Sequence, residues 1–134
     1  MKYWNDLDGS VFFNMVFSQP VEIGEIVLFS MRIDNNRPSV TLGFDISALP
    51  DRPPKKWQTA KYNTCRIGIS CSDISELIVK NIPTRDVLKM TIEKQNNTFY
   101  IRATSESSSI EFKSVFPRLC DPSVYLNDPD SACY

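Results

Sequence analysis

The side chains able to do covalent or acid–base work are few and poorly matched. The chain has no histidine, so the usual general base, the usual partner of a nucleophile and the commonest metal ligand are all missing. Four thiols remain, at Cys65, Cys71, Cys120 and Cys133. A nucleophilic cysteine needs a neighbouring base, and structural zinc needs thiols at short knuckle spacings; the sequence offers neither. Carboxylates two residues apart occur at Asp6/Asp8 and Asp128/Asp130, both in turn-rich termini. Acid–base catalysis by such a pair requires burial that drives the two pKa values apart, and solvated turn and cap residues explain them better. With four glycines in all and no two flanking a loop, nothing resembles a phosphate cradle. These residues argue against an enzyme, a metal site or a bound cofactor.

The charges narrow the partners. Fifteen basic residues face sixteen acidic ones for a net charge of −1, without the strongly basic balance that nucleic-acid binding demands. No run approaches the ~20 apolar residues of a membrane-spanning helix. Asp6 and Asp8 interrupt the N-terminus where a signal peptide needs its apolar core, so a cytoplasmic location is expected. Cys65 and Cys71 fall on one strand, roughly 20 Å apart at about 3.3 Å per residue, too far to bond. With Cys120 and Cys133 assigned to the tail, the thiols read as two small buried hydrophobes and two incidental groups.

What must position these residues is a sheet. From Asn63 to Cys71 the odd positions Cys65, Ile67, Ile69 and Cys71 are apolar and the even positions are small or polar. A period of two means one buried face and one wet face, the mark of an antiparallel sheet. Gly68 within that run marks a bulge or the close approach of another backbone. The polar stretch Ser72–Ser75 reads as a turn into a second strand, Glu76–Asn81.

Earlier, Asp8 or Ser10 can cap a short helix from Val11, and the apolar residues through Phe17 require that this helix or arm lie across the sheet. Glu25–Ile33 and Val40–Ile46 form a hairpin around Asp34–Pro38. Val27, Phe29, Met31 and Ile33 should share one face, while Ile26 and Leu28 make the other face apolar where the arm covers it. Prolines 50, 53 and 54 stiffen the next loop. Leu88, Met90 and Ile92, then Phe99, Ile101 and Ala103 across the Asn96–Asn97 turn, point inward. Ile110, Phe112 and Phe116 follow, with an edge strand near Val124–Leu126.

The expected fold is mainly β: a single-domain antiparallel sheet over residues 1–126, strongly bent or a two-layer sandwich of seven to eight strands, with a short N-terminal helix or arm. Residues 127–134 should fray. A chain of this length buries roughly two-thirds of its unfolded surface and needs no staple.

The resemblance that adds function runs through Trp4 with Leu7-Asp8-Gly9, Pro54-Lys55-Lys56-Trp57, Tyr62-Asn63-x-Cys65-x-Ile67-x-Ile69, Glu76-Leu77-Ile78-Val79 and Ile110-x-Phe112. In these positions the chain is similar to the Immunity protein 50 family of bacterial polymorphic toxin systems, over most of residues 3–126. Asn81-Ile82-Pro83 stands where members of the family are expected to carry another aromatic. The resemblance implies a cytoplasmic protein that binds a cognate toxin domain and neutralises it by occlusion, with no turnover of its own. Candidate partner contacts are Asp51, Arg52, Trp57 and Tyr62 around the proline loop, with Asp73 and Glu76 at the neighbouring turn. The alternative is a carbohydrate-binding or other ligand-binding β-domain, using Trp57, Tyr62, Phe99 and Tyr100 as a stacking face.

Overall fold

A computed structural model describes residues 1–127 of the chain. Its strands are β1 (Glu25–Asp34), β2 (Ser39–Ile46), β3 (Thr64–Lys80), β4 (Val87–Gln95), β5 (Thr98–Thr104) and β6 (Ser109–Tyr125). Two short helices accompany them, α1 (Val11–Val16) and α2 (Lys55–Gln58), with a single 3-10 turn at Trp4–Asp6. The strands pair antiparallel and close into a barrel in the order β1-β2-β3-β6-β5-β4, where Glu25–Val27 meet Val87–Lys89.

The mainly β, antiparallel architecture is the one the alternation requires. The sheet is bent to the point of closure, however, and six strands replace the expected seven to eight. Two anticipated breaks are bridged. Ser72–Ser75 does not turn the chain; β3 runs through it for 17 residues. The bend comes instead from Asp73 and Glu76, with φ of 50° and 54° in the left-handed region, and from a bulge between Ser75 and Ile78. Likewise β6 continues through Pro117 and Pro122 to Tyr125, so the expected edge strand is its last part. Proline cannot donate to a ladder and is tolerated where one edge is free. That condition is met here, since β5 pairs with β6 only as far as Ser114.

Inward positions follow the period of two. Val40, Leu42, Phe44 and Ile46 of β2 are buried, as are Cys65, Ile67, Ile69 and Cys71 of β3. Leu88, Met90, Ile92, Ile101, Ala103, Ile110 and Phe112 complete the barrel interior. Two expected inward residues point out. A bulge between Leu28 and Ser30 shifts the β1 register, so Leu28 and Met31 pair with the buried Phe44 and Leu42 while Phe29 between them is exposed. Ile33 stays on the inner face opposite Val40 but is solvent-exposed near the end of the strand. Phe29 covers Gly43, where a Cβ would come within 2.5 Å of its ring. In β6 the buried Ser114 donates its hydroxyl to the Ser72 carbonyl at 2.7 Å, and Phe116 beyond it is exposed.

The N-terminal arm lies over the barrel as its composition demands. Trp4 donates its backbone N–H to the Val21 carbonyl at 2.9 Å and stacks on Phe44 at 5.2 Å between centroids. The Leu119 N–H, donating to the Asp8 carbonyl at 2.7 Å, pins the arm to β6. α1 starts at Val11 as expected, but Ser10 does not cap it with its side chain; that hydroxyl donates to the Asn5 carbonyl at 3.0 Å. Cys120 belongs to β6 and not to a tail. Cys133 and the tail from residue 128 lie outside the described residues; Asn127 is tied back by its N–H to Asn63 Oδ1 at 2.8 Å.

Candidate partner-binding surface

The six residues read as contacts fall into two separate groups. Asp51 and Arg52 sit where the proline loop crosses α1. The Asp51 carboxylate accepts from the Ser18 hydroxyl and, at 2.9 Å, from the Ser18 N–H. These bonds, the hydroxyl foremost, hold its pKa below the usual aspartate value. The Arg52 N–H donates to the Val16 carbonyl at 3.0 Å, which leaves the guanidinium exposed. Trp57 lies on α2, a one-turn helix that the run of prolines did not announce, and packs edge-on against Phe12 at 5.7 Å. Tyr62, half-buried, leads into β3.

Asp73 and Glu76 are elsewhere. With Ser72–Ser75 extended, β3 carries Asp73 roughly 30 Å of strand beyond Thr64 at about 3.3 Å per residue. There the Lys113 Nζ donates to Glu76 Oε2 at 2.7 Å, a bond that raises the lysine pKa. Glu76 and Lys113 border a surface cleft of about 590 Å³ that also contains Leu77, Ile78, Tyr100 and Glu111. Glu111 accepts from the Tyr100 hydroxyl at 3.1 Å and from Arg102 Nε at 3.2 Å. Its charges are therefore matched within the protein.

A third cluster escaped the sequence reading. Arg66 Nε donates to Asp45 Oδ1 at 2.8 Å, and the Tyr125 hydroxyl donates to Asp45 Oδ2 at 2.5 Å. The guanidinium lies 3.5 Å from the Phe29 ring centroid and 4.5 Å from that of Tyr125. Burial, followed by the bond to Asp45, raises the Tyr125 pKa. All four residues occupy polar positions of the alternation or the β1 bulge, and the one available signal was charge pairing between β2 and β3 at Asp45↔Arg66. The stacked aromatics proposed for sugar binding are not assembled: Phe99 and Tyr100 are successive on β5 and so face opposite sides, and Trp57 is spent on Phe12.

The thiols are equally settled. Burial pushes Cys65 and Cys71 up to about 12, so both are protonated at neutral pH and are weak nucleophiles. A group whose folded pKa is raised stabilises the fold fully below its unfolded value and loses that contribution as pH climbs through the folded value. Stability should therefore hold up to about pH 9, the ordinary thiol value, and fall as pH rises toward about 12. Denaturant titrations across that window should give a steeper decline for the native chain than for Cys65→Ala/Cys71→Ala. Parallel declines would show that these thiols are not the groups responsible.

Among the described residues no three carboxylates or thiols gather as metal ligands, and the charges of the Glu76 cleft and the Arg66 cluster are paired with one another. Such a surface can bind by fit. The family model of Immunity protein 50 matches residues 9–125, nearly the whole described chain. The chain belongs to the Immunity protein 50 family. No curated protein and no solved structure matches it. Within this Immunity protein 50 chain, the family match spans both helices, all six strands and every one of the candidate contacts from Asp51 to Glu76.

Proposed function

We propose that this protein acts in the bacterial cytoplasm as the immunity protein of a polymorphic toxin system, binding a cognate toxin domain and covering the surface the toxin needs. The observation that carries this reading is the family match over residues 9–125. The barrel supports it physically. A closed sheet holds its loops and the docked arm rigidly, and tight inhibitor complexes form between preformed surfaces that bury about 1,600 Å² with little backbone movement. In this reading the protein inhibits by contact, without a reaction of its own, and the chemistry of its side chains supports that: Cys65 and Cys71 are held protonated and the sequence has no histidine. Among the described residues no helix is long and apolar enough to cross a membrane.

Co-expression is the test. The reading frame beside this gene should encode a protein whose C-terminal domain stops growth when expressed alone. Adding this chain should restore growth. Continued killing while the chain accumulates in soluble form would refute the proposal.

A further inference from the structure

The surface carries its charges unevenly, and the imbalance is concentrated beside Trp57. Arg52, Lys55, Lys56 and Lys61 are all exposed within one short segment, in a chain whose net charge is −1. The ion pairs among the described residues engage Lys2, Arg66, Arg102 and Lys113, and none of these four cations. The acid next to them, Asp51, is bonded to Ser18. Lys56 Nζ lies 6.0 Å from the Trp57 ring centroid, at the outer reach of a cation–π contact.

Next to the cations runs an apolar strip. An α-helix advances about 100° per residue, so α1 buries Phe13 and Val16 while Val11 and Met15, one turn apart, face out. They are 77% and 64% exposed. Phe12 sits between those two faces and meets the edge of Trp57. Leu49, also exposed, precedes the loop that packs on the helix. A patch with apolar side chains at its centre and one sign of charge around it is the composition of a protein docking site. The Glu76 cleft and the Arg66 cluster differ, since their charges are already paired internally.

We infer that the face formed by α1, the proline loop and α2 receives the toxin, and that the toxin meets it with a carboxylate-rich surface bearing an apolar area that covers Val11 and Met15. The inference rests on the neutralisation proposed above and adds the face and the chemistry of the partner. Charge decides the partner: four cations that form no ion pair among the described residues repel a basic surface and steer an acidic one, with on-rates that fall as salt rises. The apolar centre separates this patch from a plain phosphate-binding stripe, which would be cationic throughout.

The experiment measures binding of the purified toxin domain encoded beside this gene, at low and high salt. Lys55→Glu/Lys56→Glu should weaken binding on the order of 100-fold and flatten the salt dependence. Lys89→Glu/Lys94→Glu makes the same charge change on β4 and should alter binding less than about threefold, as a remote surface substitution does. All four lysines are exposed, and an unchanged melting temperature will confirm that each variant is folded. Met15→Asp, on the exposed side of α1, should weaken binding about tenfold or more without touching the cations. Toxin binding that survives both Lys55→Glu/Lys56→Glu and Met15→Asp overturns this inference while leaving neutralisation intact; absence of binding by the native chain overturns both. Sedimentation of the native chain with phosphatidylglycerol vesicles, lost on the same lysine reversal while toxin binding persists, also overturns it and assigns the patch to a membrane surface.

Discussion

Trp4→Ala should be among the most damaging single substitutions in this protein, costing about 3–5 kcal/mol as large aromatic truncations in cores do. Trp4 is 1% exposed and lies against Phe44, so its removal leaves a cavity where the arm meets the barrel. The arm can relax only in part. Its backbone is held by the Trp4–Val21, Ile23–Lys2 and Leu119–Asp8 hydrogen bonds, which keep the chain in place over the void. At about 3–5 °C per kcal/mol for a chain of this size, the melting temperature should fall by roughly 10–20 °C. Denaturant unfolding followed by circular dichroism measures it. A loss under about 1 kcal/mol would mean that the arm is not part of the core.

Gly68→Ala is the second. Gly68 pairs with Gly43 across β2 and β3, beside the bulge that follows Arg66. A Cβ there would sit 2.6 Å from the Leu42 carbonyl oxygen. That neighbour is backbone within a closed barrel, so it cannot rotate away as a side chain would. Either the β2–β3 ladder opens locally or the bulge is redistributed, and overpacking of this kind costs about 1–3 kcal/mol, or more in a rigid site. Gly43→Ala is the useful contrast, because its Cβ would meet the Phe29 ring, an exposed group with freedom to swing out. The alanine at position 68 should be the worse of the two by equilibrium denaturation. The reverse order would contradict the close approach.

The parts of the fold written in the sequence are those where one face is buried for a full strand. Cys65 to Cys71 and Leu88 to Ile92 alternate because each odd or even position has a single environment, and both face the barrel interior as read. Gly68 was legible as well, as a bulge or a close backbone contact, and it is both. Bulges elsewhere were not. One extra residue at Leu28/Ser30 leaves no trace in composition, yet it turns Phe29 from core to surface. Ser72–Ser75 has the residues of a turn, and Asp73 does adopt a left-handed backbone, but the strand continues through it because β6 pairs along its whole length.

The candidate surface divides along the same line. Asp51, Arg52 and Trp57 are close in sequence and are brought together against α1, a proximity that needs no tertiary knowledge. Asp73 and Glu76 were placed with them only through the supposed turn, and an extended β3 carries them away. The Asp45–Arg66–Tyr125 cluster depends on the register of three strands, which no single segment encodes. The exposed face of α1 was hidden too: Val11 and Met15 are apolar, and only the position of the helix on the barrel reveals that they point outward.

Inhibition by contact is tested most directly with purified components. The toxin domain encoded beside this gene is assayed for its own activity while this chain is titrated in. Activity should fall linearly and vanish at one equivalent, with the two proteins eluting together in size-exclusion chromatography. Undiminished toxin activity in the presence of excess folded chain would contradict it.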